Sequence, residues 1–494
     1  MALKALFARA PLMDTKKAPL PMGQLTLNGD LKKKIDALAK ETAQGELSPY
    51  ALRALTLGAF LLRDDELIEK CEKAIMDSPL FSDGDMPLSD ALEIAHAALI
   101  WYANSTDKAL LVPLMRLGKR IEASEDAELL KNPADATELM LNLYNLTGKK
   151  GLLNIIADLR ERAMDWTSIL HTFEIVKPFE RMVKLKTPEN AEEEAYYARQ
   201  KAMGDGLSVA RNLKTPALFA LFSGNGKETE APMAGYKRLM RYHGIAGSLF
   251  TAAPYLSGRG FDKPMSYAAM GELAYSLATI AKVDETALDA LEKVALNGLM
   301  AYSGGEYHYV NDKKQEGSAA ASVLKGLAAY ACAGVVVCAD GAAGIEMFMP
   351  VELKIKTALG SMKIVERATD TEVTLKVSAG KEMRGKIRIR VPEWAGEAYA
   401  QIGTEPGKTK DDTGAILLEA DFAKKSSEIK VNLYPEIKAA EGYRESRVFE
   451  YGPYVLARSE SKAKDFIQAD VFGKAEKLVY YKDAKGRVAQ FEAP

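Results

Sequence analysis

The feature that most limits how this chain can fold is a change of hydrophobic period near Pro350. Upstream of it, apolar residues recur at helical spacing. Downstream they alternate singly, as on strands with one buried face. A chain of 494 residues has room for two or three domains and a large core. The break in period therefore separates an all-helical part from an all-strand part.

The helical part repeats. A polar turn is followed by a helix ending in basic and apolar residues, in segments that begin at Arg63, Ser105, Thr147, Ser223 and Val283. Each is preceded by a more apolar helix, such as ALRALTLGAFLL, ALEIAHAALIWYA or ATELMLNLYNL. With one helix near Leu31 to Thr42 and another near Ser318 to Val336, roughly twelve helices are expected in consecutive hairpins. Such hairpins bury both faces of their inner helices by stacking as an open solenoid or by closing into a ring. Twelve suits a closed ring of six hairpins, with the open solenoid as the alternative.

In the second part, Val373, Leu375 and Val377 alternate with Thr374 and Lys376, and Ile387, Ile389 and Val391 with Arg388 and Arg390. Ile429, Val431 and Leu433 repeat the pattern, which fits antiparallel strands of a sandwich. GTEPGKTKDDTG, from Gly403 to Gly414, has the residues of a hairpin loop. The expected division is an N-terminal segment 1–29 whose QLTL stretch adds a strand to the sandwich, a helical toroid 30–345, a β-sandwich 346–460 and a β extension 461–494.

Composition narrows the partners. A net charge of -2 offers no electrostatic basis for binding nucleic acid or an anionic membrane. The three cysteines, Cys71, Cys332 and Cys338, are odd in number and form no CxxC pair, which argues against a disulfide framework and for a reducing compartment. The N-terminus lacks the continuous apolar core of a signal peptide. A cytoplasmic protein is expected, and a homodimer is compatible with this reading. The apolar run Gly326 to Ala339 is too short to span a bilayer and reads as a buried helix, with Cys332 and Cys338 in its core.

Several segments, taken in order, resemble glycoside hydrolase family 127, the β-L-arabinofuranosidase family. GLSVARNLKTPALFALFSGN from Gly206 and YHGIAGSLFTAAPYLSGR from Tyr242 are similar to its helical motifs, as are ALEKVALNGLMA and EYHYVND. IRIRVPEWAGEAYAQIG and RVFEYGPYVLA resemble its β-strand motifs. The similarity covers roughly residues 50 to 460. It implies an α+β multidomain chain, an (α/α)6 six-hairpin toroid followed by an antiparallel β-sandwich, and a carbohydrate as the partner.

The resemblance also implies a zinc ion held by three cysteines and a glutamate, with a thiolate nucleophile and a separate carboxylate acid/base. A metal-bound thiol is deprotonated and can attack an anomeric carbon, while the acid protonates the leaving oxygen. Here the family's Glu-x-Cys stretch falls on Ser266, Tyr267 and Ala268. Its Cys-Cys pair falls on Ser318 and Ala319, its Asp-Glu on Ala253 and Pro254, and its helix-opening histidine on Asp205. No cysteine lies between Cys71 and Cys332. The expectation is therefore no metal, no cofactor, and a reaction abandoned or replaced.

The polar residues left for chemistry are Glu138, Asp205 and Glu272, each with a bland alternative as a helix-surface or capping group. Two such carboxylates at the wider separation would support inverting hydrolysis without metal. The substrate-contacting residues expected are His243, Tyr267, Tyr307, His308 and Ser318, the aromatic ones as a sugar platform or as packing. His96 and His171 have no distinguishing context. Three readings stand: a glycoside hydrolase working through carboxylates, a non-catalytic carbohydrate- or protein-binding relative, and an open helical scaffold.

Overall fold

The computed structural model describes residues 8–44, 47–82, 84–259, 265–303, 319–356, 360–369, 371–441, 446–459, 466–484 and 489–491. Among the described residues, the helical part is built on six hairpins, each an outer helix followed by an inner one, with further helices such as Ala191–Gly204 in the connections. The inner helices are Pro49–Leu62, Leu88–Ser105, Ala134–Thr147, the tandem pair Gly206–Asn212 and Thr215–Ser223, Tyr267–Ile280, and Ala320–Ala333. Their outer partners are Gly29–Ala43, Asp65–Met76, Leu111–Glu122, Gly151–Arg162, Gly226–His243, and Ala287–Lys293 with the π-turn Val294–Leu299.

Residue pattern separates the two sets. Outer helix Gly29–Ala43 buries only Leu31, Ile35, Leu38 and Ala39, the single stripe of an amphipathic helix. Inner helix Ala134–Thr147 buries every residue from Ala134 to Leu141, so it has protein on all sides. Each inner helix packs on the next, and Ala320–Ala333 packs back on Pro49–Leu62. The hairpins therefore close into a ring, and the open solenoid is set aside.

The two ends of the ring differ. Inner helices hand over to outer ones through tight turns closed by left-handed residues, Arg63, Thr106, Gly148 and Gly224. Glycine accepts that conformation without strain. The return connections are longer, most of all the stretch between Arg162 and Gly206. They lie at the N-terminal ends of the inner helices, which gives the ring one loop-rich mouth.

The apolar run near the chain's centre is divided rather than one helix. Ala320–Ala333 ends at Gly334, and Val335–Cys338 is a strand that pairs with Lys17–Pro19. Three successive β-branched valines favour the pleated surface once the glycine stops the helix. Cys338 thus sits on a strand, and Cys332 at the end of a helix.

The sandwich has a seven-stranded antiparallel sheet and a five-stranded one. The first runs in the order Lys408–Thr409, Ala398–Ile402, Ser427–Leu433, Glu372–Ala379, Ser361–Ala368, Val351–Lys356 and Leu25–Leu27. The N-terminal QLTL stretch thus supplies an edge strand. The second sheet contains one parallel pair, Met383–Arg390 with Ala343–Ile345. Ile364, Leu375, Val377, Ile429 and Val431 from one sheet and Ile387, Ile389, Leu418 and Phe422 from the other are buried. A third sheet takes strands from both sides of residue 460, from Ile437–Glu441 to Lys474–Tyr480.

The last hairpin anchors the β part. Asn297, in the π-turn, donates to the Pro453 carbonyl at 2.8 Å and accepts from the Val455 N–H at 2.7 Å. Trp394 Nε1 donates to Glu292 at 2.7 Å, and Arg390 donates to Asp289 at 2.9 Å. Among the described residues, no helix is long and apolar enough to cross a membrane.

Candidate functional site

Because all six inner helices run the same way around the ring, residues two to nine positions into each come close to one level below the mouth. That level carries the charge. Arg53 is on the first inner helix, Glu93 and His96 on the second, and Asp135 and Glu138 on the third. Arg211 and Lys214 come from the fourth, Glu272 and Tyr275 from the fifth, and Lys325 from the sixth. These polar groups lie on the inner helices, so closing the ring turns them toward one another.

Arg53 Nη1 donates to Glu93 at 3.0 Å and to Asp135 at 3.3 Å, and its Nη2 stands 3.6 Å from Glu138 Oε2. Lys214 Nζ donates to Asp135 at 3.0 Å, and Lys325 Nζ to Glu272 at 2.8 Å. Arg211 approaches the same Glu272 oxygen at 3.6 Å. The Tyr275 hydroxyl donates to Glu138 at 3.0 Å. Its ring stacks against three cations, Arg53 at 4.9 Å and Lys214 and Lys325 at 4.7 Å each.

Glu93, Asp135, Glu138 and Glu272 thus face Arg53, Arg211, Lys214 and Lys325, and the cluster is neutral overall. Most of it is buried, whereas Tyr50, Glu93, Arg211 and Tyr275 keep partial exposure and form its outer surface. One oxygen each of Glu138 and Glu272 and the Nε of Arg211 are buried without a hydrogen-bond partner.

Protonation follows from the pairing. Burial opposes ionisation of Glu272, but Lys325, Arg211 and Lys214 outweigh it and lower the carboxyl to about 2. Burial is likewise outweighed for Asp135 by Lys214 and Arg53, and for Glu138 by Lys214 and its neighbours. All three stay ionised. Burial, then Arg53, pushes His96 down to about 4, so its ring is neutral, with Nε2 bonded to the Asp135 carbonyl at 2.9 Å. Burial and the nearby carboxylates hold the Tyr50 and Tyr275 phenols well above their usual range.

The other expected residues are placed as follows. Asp205 caps the fourth inner helix, accepting from the Ser208 N–H at 2.7 Å. Buried His243 has both ring nitrogens engaged: Nδ1 accepts from the Gly258 N–H at 2.9 Å and Nε2 donates to the Ile175 carbonyl at 2.6 Å. It ties the mouth loop to the chain near Ile175 and has no ring nitrogen left for a ligand. Tyr267 is buried edge-on to Tyr302 at 4.9 Å. Tyr307, His308 and Ser318 lie outside the described residues. Glu138 and Glu272 do come together with the cluster, but as ion-paired groups rather than surface residues.

The donor set does not suit a metal held through sulfur. Ser266 caps its helix through a bond from the Ala269 N–H at 3.3 Å, and Ala268 and Ala319 offer no ligand atom. Cys71 lies on an outer helix, and burial raises Cys71 and Cys338 to about 11 and Cys332 to about 12. His96, Asp135 and Glu138 bring one ligand atom each within 4.8 Å of one another. Their charges are already met by Arg53 and Lys214, and a dication there would leave buried positive charge uncompensated.

No family model and no curated protein matches the chain. Solved structures do. A protein described as a glycoside hydrolase superposes with a TM-score of 0.71 at 12% identity, covering 99% of each chain. A GH127 β-arabinofuranosidase superposes at 0.68 with 9% identity, covering 97% of this chain and 98% of that one. A GH127 β-L-arabinofuranosidase from Geobacillus stearothermophilus T6 does so at 0.62 with 12% identity, covering 94% of each. At these identities the likeness is one of fold: a six-hairpin toroid followed by a β-sandwich.

Proposed function

We propose that this chain is a carbohydrate-binding relative of the glycoside hydrolases that holds a neutral sugar at the mouth of its helical ring and has given up metal–thiolate hydrolysis. The observation carrying this reading is the ion-paired cluster under Tyr50 and Tyr275. Glycoside hydrolysis needs one carboxyl protonated near neutral pH to serve as the acid. The shifts at Asp135, Glu138 and Glu272 all run the other way. What the cluster offers a ligand is the exposed parts of Tyr50 and Tyr275, whose rings already meet the cations beneath them, with the Arg211 guanidinium and the Glu93 carboxylate. That combination of a charged donor and a charged acceptor matches the hydroxyls of a sugar. The three free thiols, buried at Cys71 and Cys338 and half-buried at Cys332, agree with a cytoplasmic location.

The test is calorimetric titration of the full chain with arabinose-containing oligosaccharides, beside an aryl-glycoside screen with and without chelator. Binding without turnover, weakened at least tenfold by Arg211→Ala in a variant that melts like the parent, is the expected result. Absence of binding across the panel would overturn it. One observation favours a second reading: Glu138 and Glu272 each keep one oxygen without a hydrogen-bond donor, as hydrolysis through a carboxylate pair would use. Chelator-insensitive turnover abolished by Glu138→Gln would establish that reading instead.

A further inference from the structure

A second combination of groups suited to a ligand lies on the β part. Strand Ser427–Leu433 pairs with Glu372–Ala379 in a register that sets Asn432 opposite Glu372. Leu433 is buried and donates its N–H to the Thr371 carbonyl at 2.9 Å. The chain then leaves the strand through Tyr434 and Pro435. Tyr434 is 51% exposed, and its ring lies beside that of Tyr399 at 6.3 Å and 31°. A groove of about 380 Å³ opens at this point, lined by Thr371, Glu372, Asn432, Tyr434, Glu436 and Tyr451.

The chemistry of the lining selects among occupants. Two carboxylates disfavour an anion. Both strands are interior to their sheet, paired on each side, so they present no free edge on which a peptide could add a strand. A groove whose exposed apolar surface centres on one ring is too small for a stable protein interface, which needs upward of about 1,000 Å². A neutral sugar meets each feature. Its C–H face lies on the tyrosine, its hydroxyls donate to Glu372 and Glu436, and the Asn432 amide both donates and accepts. The volume falls in the roughly 300–1,000 Å³ range of small-ligand sites. Tyr434 is held between buried Leu433 and Pro435, whose ring restricts the backbone, so little chain freedom is lost on binding.

We infer that this groove is a second glycan-holding surface, on which a neutral sugar unit of an oligosaccharide or polysaccharide stacks against Tyr434 and hydrogen-bonds to Glu372 and Asn432. It is distinct from the mouth of the helical ring and does not require that site to be occupied.

The test is affinity electrophoresis of the full chain in native gels containing soluble arabinan, arabinoxylan or galactomannan. At least one polysaccharide is expected to retard the parent. In an Arg211→Ala background, in which the helical mouth no longer contributes, Tyr434→Ala and Glu372→Ala should each weaken the remaining retardation at least tenfold, and Tyr434→Phe should keep it. Lack of retardation by any of the three would overturn the inference, as would retardation undiminished by Tyr434→Ala in that background. Retardation lost in Arg211→Ala but kept in Tyr434→Ala would assign the glycan to the helical mouth alone. Loss of oligosaccharide binding in calorimetry with gel retardation intact would sink the mouth reading and leave this one standing.

Discussion

Replacing Lys325 with methionine tests whether the centre of the ring is a low-dielectric, mutually paired cluster. Lys325 Nζ and Glu272 Oε1 are 2.8 Å apart, and both side chains are 1% exposed. At an effective dielectric of about 20 their attraction is about 6 kcal/mol. Stripping water from both ions costs several kcal/mol each, so the intact pair adds little net stability. Removing one partner is different, because Glu272 is left buried. The expected loss is about 3–5 kcal/mol, toward the lower end because Arg211 remains 3.6 Å from the same oxygen. The loss also depends on pH. In the parent, Glu272 is held at about 2, below its unfolded value, so its contribution is present above about pH 4.5 and fades as pH falls toward 2. Without Lys325, burial pulls that carboxyl upward, and the variant's deficit grows as pH rises. Urea unfolding followed by far-ultraviolet circular dichroism at about pH 5 and about pH 8 reads both effects. The pair Lys325→Met with Glu272→Leu should recover to within about 1 kcal/mol of the parent. A loss below about 1 kcal/mol for Lys325→Met alone would refute the reasoning. So would a double variant as unstable as the sum of the two single ones.

Three further outcomes are expected. His96 is pushed below the ordinary histidine value to about 4, so stability tied to its neutral ring is present above about pH 6.5 and lost as pH falls toward 4, about 3 kcal/mol in all. His96→Gln, which retains a donor for Asp135, should flatten the acid limb of a melting-temperature series over that window. Burial raises Glu366 well above the usual carboxyl range, opposed by the bond from the Met349 N–H, so its stabilising contribution is greatest at acid pH and is lost as pH rises. Glu366→Gln should therefore stabilise by about 1–3 kcal/mol near pH 8 and show no gain near pH 4, read by thermal melts. A Cβ on Gly271 would stand 2.1 Å from the Ser322 carbonyl oxygen, where the fifth and sixth inner helices cross. Gly271→Ala should cost more than about 4 kcal/mol by urea midpoint, whereas Gly226→Ala, with nothing within 4 Å, should stay within about 0.5 kcal/mol.

The candidate site was only partly legible. Glu138 and Glu272 are visible as polar residues in apolar helices. Arg53 in ALRALTLGAFLL, His96 in ALEIAHAALIWYA and Lys325 in ASVLKGLAAY carry the same signal. A lone charge on a helix that is apolar all round has to turn inward to a partner. That signal gives no partner, because Arg53 and Glu138, on the first and third hairpins, meet only when the hairpins assemble around the ring. His243 misleads for a related reason. A histidine next to glycine in a loop gives no sign that Ile175 and Gly258 will take both its nitrogens.

By itself the order of residues determined most of the local elements, the strand Val335–Cys338 within an apolar run being an exception. Helical and strand periods are set within a few residues by backbone geometry, and turn glycines and capping serines mark where one element yields to the next. Only the tertiary structure decided that six hairpins close on themselves, that one end of the ring carries the long loops, and that four acids and four bases meet in a neutral cluster at the centre. Those outcomes depend on how helices far apart in the chain cross and pack, and on charges whose protonation is set by neighbours brought within a few ångströms only by closure of the ring.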